Sequence, residues 1–274
     1  MTRTRVLTAL IMAPLAIAAI LLLPTQWLLA VVAIMFLIGL WEWFKLADVE
    51  DTLSRTVLLV ANLLLMVLLV WASAGSMVLF QIVTLVGAAW WCLALLWLRF
   101  YSFASDHQTY ARVFKLAAGT LAIVPAWCAL ALIHAGSPTG NRWLLAALAV
   151  VWAADTGAYF TGRKFGKRKL SPRISPNKTV EGMVGGLICA LIAGLLFAWF
   201  AGMTLAQVPA VAAVALAAAL FSVVGDLFES LLKRHVGAKD SGQLIPGHGG
   251  VLDRIDGVIA ALPVFAIGKE LFGF

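Results

Sequence analysis

Runs of about 20 apolar residues recur along this chain, and no other feature restricts its fold so tightly. That is the length an α-helix needs to cross the hydrocarbon of a bilayer. The runs fall near residues 5–23, 27–46, 56–73, 77–98, 114–134, 142–161, 183–201, 207–231 and 251–272. Within a bilayer every backbone N–H and C=O must find its partner inside the protein, which favours helices for segments of this length. The expected fold is all-α, a polytopic transmembrane helix bundle of about nine spans. Composition agrees, since 63% of the 274 residues are hydrophobic and 12% charged, too few polar groups to cover a soluble fold of this size. Pro24, Gly75 with Ser76, the segment 135–141 and Gly202 mark turns between runs. The first 20 residues look like those of a signal peptide. No small-x-small cleavage site follows, and more spans do, so the segment is read as a retained first helix.

The cations are distributed unevenly. With nine spans and the N-terminus in the cytoplasm, 18 of the 20 Lys and Arg residues fall in cytoplasmic segments, and only Arg142 and Lys269 fall outside. This is the bias that orients membrane proteins, and it puts the C-terminus on the outer side. The net charge of +7 then belongs to cytoplasmic loops facing anionic headgroups, and no nucleic-acid partner is expected. The 11 Trp are expected in interfacial belts. The cysteines, Cys92, Cys128 and Cys189, lie singly in apolar runs with no zinc or disulfide spacing. Glu42 in LWEWFKL is read as an interfacial pair with Lys45, three residues on. Asp155 lies deeper in its run. A lone carboxylate at mid-bilayer costs about 2.5–3.5 kcal/mol, so it calls for a cavity or a partner.

Two polar clusters interrupt the apolar pattern. The first, TGRKFGKRKLSPRISPNKTVEG over 161–182, has five cations between Arg163 and Lys169. Its second half, stiffened by Pro172 and Pro176, leads through Ser175, Asn177, Lys178 and Thr179 into a helix with Glu181 in its first turn. Thr179 is the expected cap, and Lys178, the hydroxyls and the helix-start amides suit phosphate oxygens. The second cluster, GDLFESLLKRHVGAKDSGQLIPGHGGVLDRIDG over 225–257, gathers Asp226, Glu229, Asp240, Asp253 and Asp256 with Lys233, Arg234, Lys239 and Arg254. On a continuing helix Asp226, Glu229, Ser230, Lys233 and Arg234 share one face. Asp253 and Asp256 open the last span, where one of them is expected to cap the helix. Two carboxylates facing Asp226 on a neighbouring helix make a hard-oxygen site of the kind magnesium shares with substrate phosphates.

These residues resemble a known family. The run from Ser230 through LLKRHVGAKDSGQLIPGHGGVLDRID, together with Gly225, Asp226 and Glu229 and the earlier FGKRKLSPRISPNKTVEGMVGG, is similar to the signature of phosphatidate cytidylyltransferases, also called CDP-diacylglycerol synthases. The resemblance covers the second half of the chain in detail. It implies transfer of CMP from CTP to phosphatidic acid, for phospholipid biosynthesis in a bacterial inner membrane, with the site facing the cytoplasm. It implies a need for Mg²⁺, together with a monovalent cation such as K⁺. It puts the metal on Asp226 and Asp253, and phosphate handling on Lys233, Arg234, Lys239 and Arg254. Asp240 and Asp256 join that catalytic set. Ser175, Asn177, Lys178, Thr179, Glu181, Ser230, His248 and Gly249 match positions expected to bind substrate.

Spacing alone leaves two other readings open: a CTP-dependent lipid kinase using Asp240 or Asp256 as base, and a cation-coupled transporter using Asp155, Asp226 and Asp253. The organisation expected is an N-terminal transmembrane region over 1–110, to which the sequence assigns no chemistry, and a catalytic transmembrane region over 111–274 carrying the polar loops 161–182 and 225–257. Whether the chain forms a homodimer is left open.

Overall fold

A computed structural model describes residues 2–106, 108–244 and 249–274, with residues 2–11 as backbone only. Among these, nine α-helices overlap the nine apolar runs: α1 (Thr2–Leu22), α2 (Thr25–Leu46), α3 (Thr52–Ala72), α4 (Val78–Arg99), α5 (Thr109–Ala135), α6 (Gly140–Phe165), α7 (Val180–Ala201), α8 (Val208–His235) and α9 (Leu252–Phe272). Seven segments, α2 to α7 and the stretch Leu205–His235 that contains α8, are long and apolar enough to cross a membrane. α9 has apolar residues between two charged ends, with Asp253, Arg254 and Asp256 at one and Lys269 and Glu270 at the other. The helices overrun several predicted spans. α6 runs on to Phe165 and α8 to His235, because their last turns carry side chains suited to the headgroup level. One element was not expected. Lys169–Ser171 (β1) and Ser175–Thr179 (β2) pair antiparallel, with Lys169 opposite Thr179 and Ser171 opposite Ser175. The stiff loop between α6 and α7 is therefore a hairpin.

Small residues let the helices approach closely, which drives packing where lipid is as apolar as the protein. α6 packs most extensively on α7, and α8 on α9. At the α6–α7 seam a side-chain carbon on Gly185 would collide with Thr161, and one on Gly186 with the Ala154 carbonyl. Pro125, inside α5, packs into the gap left by Gly87 on α4. The tryptophans do not form only the expected belts. Trp43, Trp91, Trp97, Trp127 and Trp143 are buried. Trp43, Trp90, Trp91 and Trp97 surround the ring of Phe228 at centroid distances of 5.2–6.0 Å, so aromatic packing joins α2 and α4 to α8.

Contacts at the two ends show that successive helices alternate in direction. At one end Thr25 Oγ1 lies 2.8 Å from His134 Nδ1, and His134 Nε2 lies 3.0 Å from the Ile20 carbonyl. Asn141 donates to the Leu21 carbonyl at 3.1 Å, and Gln207 to the Gly273 carbonyl at 3.4 Å. At the other end Trp43 Nε1 donates to the Lys115 carbonyl at 2.8 Å, and His235 Nε2 lies 2.7 Å from the Tyr101 carbonyl. Lys115, fully buried, pairs with Asp48 there at 3.4 Å. Both polar clusters lie at this second end.

Candidate active site

The second end opens into a cavity of about 670 Å³ lined by α6, the hairpin, α7, α8, the loop after α8 and the start of α9, within the range of small-molecule sites. Asp155, Tyr159 and Arg163 reach it from α6, and Ser175, Asn177, Lys178 and Thr179 from β2. α8 contributes Asp226, Glu229 and Lys233. Asp240 comes from the loop after α8, and Asp253, Arg254 and Asp256 come from the first turns of α9. Local sequence explains the convergence. Thr179 caps α7 by accepting from the Gly182 N–H at 3.1 Å, which fixes the end of β2 over α6. α8 and α9 cross at Gly225, where any side-chain carbon would collide with the Asp256 carbonyl. That contact brings Asp226 and Asp256 to the same wall.

Within the cavity the charges are interleaved. Lys178 forms an ion pair with Asp226 and joins the first cluster to the second. Lys233 reaches Glu229 at 3.0 Å and Asp253 Oδ1 at 2.6 Å. The other oxygen of Asp253, Oδ2, accepts from the Ser241 N–H at 3.0 Å, the Ser241 hydroxyl at 3.0 Å and the Gly250 N–H at 2.9 Å. Asp226 has a third of its side chain exposed, whereas that of Asp253 is nearly buried. Glu229 Oε1 is buried with no N–H donor, beside the Asp256 carboxyl group.

Of the residues singled out in the sequence, Ser175, Asn177, Lys178, Thr179, Asp226, Lys233, Asp240, Asp253, Arg254 and Asp256 are brought together here. Five others do not line the cavity. Arg234 donates to the carbonyls of Ile174 at 3.2 Å and Ala238 at 3.3 Å, and ties the hairpin to the end of α8. Lys239 is exposed. Glu181 accepts from the Lys167 and Arg168 N–H groups at 3.0 and 3.1 Å and from Arg168 Nε at 3.0 Å; it holds the entry to the hairpin. Ser230 lies 3.5 Å from Asp226 Oδ1. Gly249 has φ of +86°, a conformation suited to glycine, with Asp253 Oδ2 beside the space where a side chain would start. His248 lies outside the described residues. The helix-start amides offered to a phosphate are partly taken, since the Val180 N–H donates to the Arg168 carbonyl at 2.9 Å and that of Gly182 to Thr179.

Sequence reasoning missed Arg163, which reads as one of a topogenic run, and Tyr159. It also misread Glu42. Among the described residues Glu42 has no ion pair with Lys45; it is 4% exposed and turned inward. Its carboxylate accepts from the Val251 N–H at 3.1 Å, the Leu252 N–H at 2.8 Å and the Ser241 hydroxyl at 2.9 Å. The carboxylate that satisfies the start of α9 thus comes from α2, not from Asp253 or Asp256 as the dipole argument expects.

The donor set fits a divalent ion of one particular kind. Among the described residues six carboxylates and four cations line the cavity, and the Glu229 and Asp256 carboxyl groups lie against each other, a contact that needs a shared proton. A polyphosphate entering beside these carboxylates would bring negative charge that a bound cation could neutralise. Yet among the described residues no three acidic, His or Cys side chains come close enough to hold a metal by themselves. That suits an ion such as Mg²⁺, which takes one or two carboxylates and completes its shell with phosphate oxygens and water.

Comparison with known proteins gives the family. Residues 3–272 match the Cytidylyltransferase family. The chain is 38% identical to a phosphatidate cytidylyltransferase of Pseudomonas aeruginosa over 268 residues, 97% of this chain and 96% of that one. It is 34% identical to one of Haemophilus influenzae over 283 residues, 97% of this chain and 98% of that one. A third relative of the same name, from Staphylococcus haemolyticus, is 47% identical over 134 residues, about half of each chain. A match over nearly the whole length, on a bundle whose polar clusters meet in one cavity, establishes that the chain belongs to the cytidylyltransferase family.

Proposed function

We propose that this protein transfers CMP from CTP to phosphatidate, yielding CDP-diacylglycerol and pyrophosphate. The observation that carries the reading is the Lys178–Asp226 pair. It joins the phosphate-suited hairpin to the acidic helix in one cavity, and the family and the names of its relatives supply the reaction.

A phosphate oxygen of phosphatidate attacks the α-phosphorus of CTP. The bond from that phosphorus to the bridging oxygen of the β-phosphate breaks, and pyrophosphate leaves. The nucleophile is already anionic, so no proton has to be removed, and the work left to the protein is positioning and charge neutralisation. Lys178 and its hairpin hold the lipid phosphate or the nucleotide, while Lys233, Arg163 and Arg254 offset charge on the departing pyrophosphate. Asp226 and Asp253 Oδ1 would hold Mg²⁺, with K⁺ as a second ion in the acidic wall. The divalent ion would supply neutralising charge to the nucleotide phosphates. For these groups to meet substrate, Lys178 and Lys233 exchange their carboxylate partners for phosphate oxygens.

In the membrane, nine crossings put the N-terminus and the cavity on the cytoplasmic side and the C-terminus outside. The antiparallel succession of helices and the 18 cations assigned to the cavity end support this orientation. It lets soluble CTP and membrane-bound phosphatidate reach the same site. The test is an assay of purified protein in phosphatidate vesicles with CTP and Mg²⁺. The α-phosphate label of CTP is expected in the lipid and the γ-phosphate label in pyrophosphate. Entry of the γ label into lipid would show a kinase, and the absence of any CTP-dependent lipid product would refute the reading.

A further inference from the structure

Glu42 does not line the cavity, yet it is hydrogen-bonded to the chain that carries Asp253 into it. Glu42 lies on α2, the second helix of the chain, and its three donors all belong to the segment 241–252, some 200 positions later. The fit is tight from both sides. A side-chain carbon on Gly242 or on Gly250 would collide with the Glu42 carboxylate, so both glycines lie directly against it. α2 is itself well anchored. Trp43 donates from its indole to the Lys115 carbonyl on α5, and its ring fills the gap left by Gly119. Leu40, Trp43 and Phe44 are fully buried.

The consequence falls on Asp253. Ser241 Oγ lies 2.9 Å from Glu42 Oε2 and 3.0 Å from Asp253 Oδ2. Its single proton is shared between them, so one hydroxyl spaces the two carboxylates. The backbone leading into Asp253 is fixed by the same residues, with Val251 and Leu252 held by Glu42 and Gly250 held by Asp253 itself. Asp253 Oδ2 is thereby saturated with donors, and Oδ1 is the oxygen left facing Lys233 and the cavity. We infer that Glu42 is a positioning residue for the cytidylyl transfer proposed above: through Ser241 and the amides of Val251 and Leu252 it holds Asp253 so that Oδ1 is presented to the nucleotide-bound cation. Partners that orient a metal-binding carboxylate in this way typically matter by about 10–100-fold in affinity or rate.

The experiment compares the full-length protein with Glu42→Gln, Glu42→Asp and, as a control on the exposed side of the same helix, Lys45→Gln. Three quantities are read: the rate of CMP transfer against CTP and Mg²⁺ concentration, Mn²⁺ binding in the presence of CTP by electron paramagnetic resonance, and amide hydrogen exchange. A glutamine offers one acceptor where two are needed and turns an N–H donor toward the others. Glu42→Gln is expected to lower kcat and weaken Mn²⁺ binding by roughly 10–100-fold. The KM for phosphatidate should stay unchanged, and exchange should quicken within 241–253 while other helices remain protected. Glu42→Asp should recover part of each effect, and Lys45→Gln should behave as wild type. Wild-type Mg²⁺ dependence and Mn²⁺ binding in Glu42→Gln would overturn the inference. So would a general loss of protection in which the remaining folded protein turns over normally. If the wild type itself transfers no CMP, the functional reading fails, and the Mn²⁺ titration still decides the role of Glu42.

Discussion

Asp226 and Asp253 face the same cavity but are held differently, and this predicts different losses. Asp226 has an ion pair to Lys178 and a long contact to Ser230. It is partly exposed, so an amide there leaves little unsatisfied. Asp226→Asn should lower cytidylyl transfer on the order of 100-fold or more while membrane insertion, yield and melting temperature stay near wild type. Asp253 accepts from three donors on one oxygen and from Lys233 on the other. Asp253→Asn should therefore lose activity and also about 1–3 kcal/mol of stability, since a buried donor is left facing donors, a loss seen as an earlier thermal transition. The approach of the two aspartates was legible from spacing, whereas their role as metal ligands rests on the family resemblance. Glu42 was not legible. Flanked by Trp41 and Trp43 and followed by Lys45, it has the local pattern of an interfacial residue. Its partners lie about 200 residues away, and nothing local distinguishes the two cases.

The elements were legible where the bilayer dictates them, and less so where polar chain folds on itself. Apolar length marked all nine helices. The hairpin at 169–179 was hidden because its strands are three and five residues long, too short for an alternating pattern. It is set by contacts that sequence does not display: Glu181 gripping the entry, Thr179 capping the exit and Arg234 holding Ile174. The α6–α7 seam is the element-scale feature on which the cavity depends, since α6 carries Asp155 and the hairpin that carries Lys178 leads into α7. A side chain at Gly185 would collide with Thr161. Gly185→Leu is expected to push the helices apart, cost about 1–3 kcal/mol and reduce turnover. Gly75→Leu, in a turn with open space around it, should change neither. Thermal unfolding of the two purified proteins, with their CMP-transfer rates, checks this.

For the molecule as a whole, alternating helices gather the ends of α2, α4, α6 and α8 with the starts of α3, α5, α7 and α9 at the cavity side, away from Arg142 and Lys269 at the other end. The proposed orientation predicts that a cysteine introduced at Lys239 is labelled by an impermeant reagent only from the cytoplasmic face, and one at Gly273 only from outside. Labelling of both from one side would mean an even number of crossings between them. The charge bias is what the sequence offers in favour of this orientation, whereas the meeting of the two clusters in one cavity required the fold. That meeting is the central claim: two polar segments, separated by two helices, form a single site for a divalent cation and a nucleotide. The most direct measurement is an anomalous-scattering map of crystals grown with Mn²⁺ and CTP. The account predicts a Mn²⁺ peak in contact with Asp226 and Asp253 Oδ1, beside the nucleotide phosphates and within reach of Lys178. A nucleotide bound elsewhere, or a peak that touches neither aspartate, would contradict it.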